Sequence, residues 1–363
     1  MKLSRIIILV VVLIVVVIIA VAAYSALVAP PANTAWKAAA EFPVETQDTF
    51  GVSGQQCINS TVYIYCIGGQ DYLGGPHNSV YTSSPISSTA NNITSWTPDP
   101  SSAIYPTPIY AQSCVANSGY IYCVGGTYDD GGDDVNSSYY ATLSSNGVVG
   151  TWTKTTEYPA YIDSQYCVAS SGYIYCVGGF TESNGLNATS APSNSVWYAP
   201  ISSSGIGTWS SSASYPSGIY APSCFGGSGY IYCVGGIDGN GNPLDDAYYA
   251  TLNSTGVGTW TQTTTYQFQG IGQACAVSSG YIYCVGGEES GGYTNAVYYA
   301  PASSGGIGTW SKAPNYPDSV WTTCAILSGD MYCFGGVDGS SAGESGATYY
   351  APLTALLGLA SSS

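Results

Sequence analysis

The chain is 363 residues long with a formal charge of −16, set by 21 Asp and Glu against five Lys and Arg, and it holds one histidine, His77. Setting aside Lys2 and Arg5 leaves Lys37, Lys154 and Lys312 as the only cations and takes the remainder to −18, a balance that argues against nucleic acid, anionic lipid and acidic substrates as partners. A single histidine excludes a multi-histidine metal centre and leaves a Ser-His-Asp triad little to stand on.

Taken in order, residues 1–5 are a short basic N-terminus and residues 6–23 are eighteen consecutive apolar residues. That run can span a bilayer and exceeds the roughly 7–15 apolar residues of a cleavable signal peptide. It is read as one N-terminal transmembrane helix, an uncleaved signal anchor whose positive end stays in the cytoplasm. The small residues Ala20, Val21 and Ala22 keep cleavage, and so secretion, as the alternative. In both cases the chain beyond Tyr24 is exported. Residues 24–34, with Pro30 and Pro31, form a linker without hydrophobic periodicity.

Beyond the linker one stretch recurs six times: TVYIYCIGG at 61–69, SGYIYCVGG at 118–126, 171–179, 228–236 and 279–287, and SGDMYCFGG at 328–336. A period of roughly 50 residues points to a propeller or solenoid, in which each unit buries its faces only against its neighbours. A tryptophan recurs with it, and Trp36, Trp152, Trp209 and Trp310 are each followed seven residues later by proline. The array therefore begins at Trp36, ahead of the first cysteine. One unit reads as four short strands, at 112–117, at 120–124, at 138–143 around Tyr139 and Tyr140, and at Trp152. Aromatic and β-branched runs bounded by Gly, Ser and Pro are strand signals, and no helical periodicity follows residue 23.

The twelve cysteines fall into pairs with eight residues between: Cys57 and Cys66, Cys114 and Cys123, Cys167 and Cys176, Cys224 and Cys233, Cys275 and Cys284, Cys324 and Cys333. If Ser118 and Gly119 make a two-residue turn, Cys114 lies directly opposite Cys123 at a non-hydrogen-bonded position, within disulfide reach. The same count applies to every pair. Fixed spacing and even number in an exported chain mean six hairpin staples, each contributing roughly 2–3 kcal/mol through a loop of about ten residues. Five glycosylation sequons, at Asn59, Asn92, Asn136, Asn187 and Asn253, agree with an exterior location.

The Gly-Gly doublet closing the second strand, the aromatic pair of the third and the single tryptophan of the fourth resemble the kelch repeat, through six copies between residues 36 and 353. The resemblance implies an all-β fold, a six-bladed kelch-like β-propeller over residues 35–353 with a C-terminal tail at 354–363. The cysteine pair is not part of the usual kelch pattern, and the Arg common in the first strand is missing. Copper oxidases of this fold use Tyr with two His ligands, which this chain cannot supply. Because the tryptophan strand comes first and the last third strand has none after it, the Trp36 strand is expected to complete the sixth blade.

Function is expected in the loops that follow each Gly-Gly doublet. Thirteen of the 21 acidic residues lie there: Asp71, Asp129, Asp130, Asp133, Asp134, Glu182, Asp238, Asp245, Asp246, Glu288, Glu289, Asp338 and Glu344. Acidic turns that keep the surface soluble explain them, and so does a face that binds a cation or a polyhydroxyl ligand. Asp238, Asn240, Asn242, Asp245 and Asp246 alternate oxygen ligands around glycines in the manner of a calcium loop, although Pro243 rules out an EF-hand. Ca2+ is thus the one cofactor considered. Tyr105, Tyr110, Tyr158, Tyr161, Tyr215, Tyr220, Tyr316 and Trp321 lie in the connections between blades on the same face. Aromatic platforms beside carboxylates suit sugar stacking, and packing around the channel mouth suits them equally. The reading is a membrane-anchored, extracellular binding or adhesion module for a glycan or a surface protein, with Asp129, Asp130, Asp133, Asp134, Tyr110, Tyr161, Tyr220, Trp321, Glu288 and Glu289 as its ligand-binding set. The alternatives are an exported carbohydrate-active enzyme with paired carboxylates and a passive envelope component. Scarcity of cations also points to an acidic exterior, where protonated carboxyls leave the surface nearly neutral.

Overall fold

The computed structural model describes residues 35–43, 53–71, 75–87, 92–100, 103–128, 134–181, 190–289, 292–338 and 344–359. The apolar run at 6–23 lies outside them, and among the described residues no helix is long and apolar enough to cross a membrane. The unit Ala35–Ser363 is a six-bladed all-β propeller.

Blade 1 is Gln56–Asn59, Ile64–Ile67, Val80–Ser83 and Trp96–Pro98, and blade 2 is Ser113–Asn117, Tyr120–Val124, Ser138–Thr142 and Thr153–Lys154. Blades 3, 4 and 5 repeat that order from Tyr166–Ser170, Ser223–Gly227 and Ala274–Ser278. Blade 6 is Val320–Leu327, Asp330–Asp338 and Glu344–Pro352, with Lys37–Ala38 as its outermost strand, Lys37 opposite Tyr350 and Ala38 opposite Tyr349. The ring is therefore closed by strands from both ends of the propeller. The first strand of every blade is innermost and touches its counterparts in the two neighbouring blades.

While blade 1 turns through the longer segment between Asn59 and Ile64, the innermost hairpins of blades 2–6 turn through Ser-Gly with both residues left-handed, as at Ser118 (φ 49°) and Gly119 (φ 81°), the geometry whose twist suits a two-residue hairpin. It sets Cys114 opposite Cys123, and the other five pairs share that register. All six disulfides are formed, with Cα separations of 4.0–4.1 Å.

Aromatic side chains join the blades. The second tyrosine of each YIYC run is almost fully buried, and in blades 2, 3 and 4 its hydroxyl reaches the next blade: Tyr122 donates to Ser202 O, Tyr175 to Asn253 O and Tyr232 to Ser303 O, each at 2.9 Å. Burial pushes the phenols of Tyr122 and Tyr175 up to about 12, so both stay neutral donors. On the outside, each repeat tryptophan meets an aromatic ring edge-on: Trp152 on Tyr105, Trp209 on Tyr158, Trp260 on Tyr215, Trp310 on Tyr266 and Trp36 on Tyr316, with centroids 4.9–5.0 Å apart. The indole N–H donates to a carbonyl two residues before its partner, as from Trp152 to Ala103 O at 2.8 Å. Tyr105, Tyr158, Tyr215 and Tyr316 are thus buried wedges, the packing role and not the platform role of the two the sequence left open. The Tyr-Pro turn carries its ring inward because the tryptophan offers the larger apolar surface.

The three lysines beyond residue 5 all sit on outermost strands, Lys37 in blade 6, Lys154 in blade 2 and Lys312 in blade 5. Those strands are two residues long and exposed, the places where an unpaired edge would otherwise recruit another chain.

Two predictions follow from burial. The hydroxyls of Tyr105, Tyr158, Tyr215 and Tyr266 are buried without a hydrogen-bond partner among the described residues, and Phe42 fills the same role against Trp96 in blade 1. Tyr158→Phe is expected to leave the fold intact and raise unfolding free energy by about 1 kcal/mol, read from urea denaturation. Asp99, half-buried beside Thr82 and the backbone of Val149, has its carboxyl raised by burial to about 6. The folded state holds its proton from the unfolded value near 4 up to about 6, so its stabilising contribution is complete below pH ~4 and is lost as pH rises through 6. Thermal denaturation between pH 4 and 7 is expected to show this loss, worth about 1–2 kcal/mol after allowing for partial solvent exposure, and Asp99→Asn is expected to remove it.

Candidate functional site

At the loop end of the axis the six innermost strands leave a cavity of about 360 Å³. Its wall starts from one repeated position, three residues before the first cysteine of each pair: Gly54, Ala111, Ser164, Ala221, Gly272 and Trp321. The first five are left-handed, with φ of 50–67°, although three of them carry a side chain. Backbone bonds hold this strained conformation in place: Ala111 N donates to Gly54 O, Ser164 N to Ala111 O and Ala221 N to Ser164 O, at 2.9–3.1 Å. Peptide units from blades 1 to 4 thus form a belt around the mouth.

One residue further inward, Gln55, Gln112, Gln165 and Gln273 line the cavity and are nine-tenths buried or more. Each amide crosses to the preceding blade, Gln112 to Ile67 O at 2.8 Å, Gln165 to Val124 O at 2.7 Å, Gln273 to Val234 O at 3.1 Å and Gln55 to Phe334 O at 3.3 Å. The Oε1 atoms of Gln112, Gln165 and Gln273 have no partner among the described residues. Pro222 and Thr322 take this position in blades 4 and 6.

The belt changes character at blades 5 and 6. The Trp321 indole lies directly on Gly272, where any Cβ would collide with the ring, and Trp321 remains 37% exposed. Tyr293, Tyr110 and Tyr166 complete the aromatic wall, and among the described residues no charged side chain lines the cavity. Tyr110 and Trp321 were identifiable as connection aromatics. Tyr166, beside a cysteine, and Tyr293, beyond the Glu288–Glu289 strand, carried no signal that separated them from packing tyrosines.

The remaining predicted residues divide by position. Tyr161 is 41% exposed outside the cavity, while Tyr220 is half-buried against Phe180 with ring centroids 5.4 Å apart. Glu288–Glu289 pairs with Gly292–Tyr293, which brings Glu288 close enough to raise the Tyr293 phenol, behind burial as the larger cause. Asp129, Asp130 and Asp133 lie outside the described residues, as do Glu182 and Asn187. Asp134 is buried at the mouth, one residue before Val135, whose carbonyl takes the Ile162 N–H across the seam; the next residue there, Asp163, is absent from the sequence-derived set, and burial raises its carboxyl above the usual range.

In the Asp238 loop, Oδ1 accepts the backbone N–H groups of Asn240 and Asn242 at 2.8 Å, and Oδ2 accepts their side-chain amides. Hydrogen bonds from Asn242 and then Asn240 hold the Asp238 carboxyl below its usual range. Asp246 accepts from Gln262 at 2.8 Å, and the Asp245 carbonyl accepts from Tyr266. The loop's shape is accounted for by these bonds, and among the described residues no group of three or more His, Cys, Asp or Glu could hold a metal ion. His77 stands 3.5 Å from Asp71 in blade 1, both half-buried. Of the sequons, Asn59 and Asn253 are exposed, and Asn92 and Asn136 are half-buried.

No protein-family model matches the chain, and no curated protein matches it. Among solved structures, one described as "Structure of YjhT" superposes with a TM-score of 0.65 over 85% of this chain and 95% of that one, at 12% identity. At that identity the likeness establishes the propeller fold alone.

Gly272→Ala is expected to displace the Trp321 ring. Intrinsic fluorescence should shift from that of the unmodified protein, and stability should fall by about 1 kcal/mol or more because φ is 67° at this position.

Proposed function

We propose that this chain is an exported binding module, displayed at the cell surface, whose axial cavity takes an uncharged, hydroxyl-rich ligand such as a glycan terminus. The observation that carries the reading is the composition of the cavity wall: four aromatic rings, four buried glutamines and, among the described residues, no charged side chain around about 360 Å³. A sugar ring offers a CH face to Trp321 and hydroxyls to amides and phenols, and 360 Å³ is within the range of small-ligand sites. A phosphate or carboxylate ligand would meet neither Lys nor Arg there. Six disulfides fit an oxidising exterior, and the apolar run at 6–23 supplies the means of display.

The test is a glycan array probed with the exported domain, with and without Ca2+, followed by titration of tryptophan fluorescence with the best neutral oligosaccharide. Saturable quenching is expected, with Trp321→Ala weakening affinity at least about tenfold and leaving the melting temperature within a few degrees. Equal binding by Trp321→Ala, or a preference for anionic glycans, would overturn the reading.

A further inference from the structure

A second cavity, of about 340 Å³, continues the axis toward the innermost hairpins. It is bounded by the first cysteine of every pair and by the residues that follow, as far as Asn59 in blade 1 and Ser278 in blade 5. Among the described residues only Gln56, Tyr166, Cys275 and Cys324 face both this cavity and the ligand cavity above it. These four mark the waist between the two.

Successive residues of a strand advance about 3.4 Å, so position along the innermost strands measures depth along the axis. The level just above the cysteines holds Gln56, Ser113, Tyr166, Ser223, Ala274 and Thr323 in blades 1 to 6. Four of these are small, and Ser223, Ala274 and Thr323 face the ligand cavity. Ser113 faces neither cavity and is 1% exposed, although it stands at the same depth, between the blades that carry Gln56 and Tyr166. Its hydroxyl accepts the Cys167 N–H at 2.8 Å and so is tied into the wall. The two long side chains close over the short one and reach down to the lower cavity, while Cys275 and Cys324 complete the waist from blades 5 and 6. The Tyr166 ring is fixed by packing against the buried cluster that holds Ile219 and Cys224.

We propose that Gln56 and Tyr166 are the floor of the ligand cavity: they make it blind, so that the site takes one end of a neutral chain and excludes a chain passing along the axis. This assignment rests on the proposed ligand reading and adds the residues that set which part of the ligand is taken. With six small residues at that level the two cavities would join, and an internal stretch of a chain could lie through the ring. With the floor in place, whatever extends beyond the bound end must leave through the mouth on the loop side. Discrimination between chain end and chain interior is thus steric, built against the wrong ligand by two side chains.

The first arm of the experiment needs no ligand. Crystal structures of the full chain with ordered water are expected to show solvent in both cavities and none bridging them at Gln56 and Tyr166, but a continuous file of water in Gln56→Ser/Tyr166→Ser. Serine is the residue that blades 2 and 4 already carry at this level. Because Tyr166 also packs in a seam, Gln56→Ser alone is the second variant and opens the blade 1 side of the waist. Continuous water through the waist of the unmodified protein, or a waist closed alike in both variants, overturns the floor.

In the second arm, the neutral oligosaccharide retained on the array is compared by fluorescence titration with versions extended by neutral sugar units at one end or the other. Extension at one end is expected to leave affinity unchanged, and extension at the other to weaken it at least about tenfold, a loss that Gln56→Ser/Tyr166→Ser removes. Equal tolerance of extension at both ends, or an undiminished loss in the open variants, overturns the assignment. Absence of sugar binding at every length counts against the ligand reading, with the floor then decided by the first arm.

Discussion

Everything in this propeller depends on how closely neighbouring blades approach at the axis. The carbonyl that opens each blade's innermost segment reaches back to the second glycine of the preceding doublet: Ile109 O takes Gly69 N–H, Ile162 O takes Gly126, Ile219 O takes Gly179 and Val320 O takes Gly287, all at 2.8–2.9 Å. A Cβ on Gly125 would stand 2.5 Å from both Ile162 O and the Gln165 amide. Both glycines of that doublet are left-handed as well, with φ of 64° and 103°. The doublet is therefore the seam where one blade receives the next, and the glutamine amides are the second fastening of the same joint. Disulfides hold each hairpin rigid so that its innermost strand can be presented to that seam.

Repetition builds the ring, and departures from repetition make the site. Four blades share the belt of left-handed peptides, whereas blade 6 places Trp321 at the equivalent position and tips it over Gly272. Pro222 and Thr322 interrupt the glutamine ring in blades 4 and 6. A perfectly sixfold mouth would bind only a sixfold object, so an aromatic wall on one side and amides on the other give the cavity a direction. The same principle applies to charge. Lysines stand at exposed strand edges, and the cavity wall is uncharged among the described residues.

Two buried carboxyls, Asp99 and Asp163, have their protonated forms favoured by the fold. One lies at the outer seam between blades 1 and 2 and the other at the mouth between blades 2 and 3. A chain with three cations outside its N-terminal segment can pair few of its acids. Protonation is the form the fold favours at these two positions.

The ring, the disulfide register and the strand that closes the array could be read from spacing, because a hairpin with a two-residue turn leaves one answer for which residues face each other. Six copies of SGYIYCVGG repeat that local geometry, and local geometry is what a sequence carries most directly. Which tyrosines face outward could not be read in the same way. Tyr105 and Tyr110 are five residues apart in one connection, yet the first wedges against Trp152 and the second leans over Gly54 from the next blade. Gly272 carried no local motif, and its importance comes from Trp321, 49 positions later, across a blade boundary. Sequence by itself determined the repeat, its staples and the poverty of cations. Only the tertiary structure decided which unlike residues meet at the axis, because that depends on how six blades close into a ring.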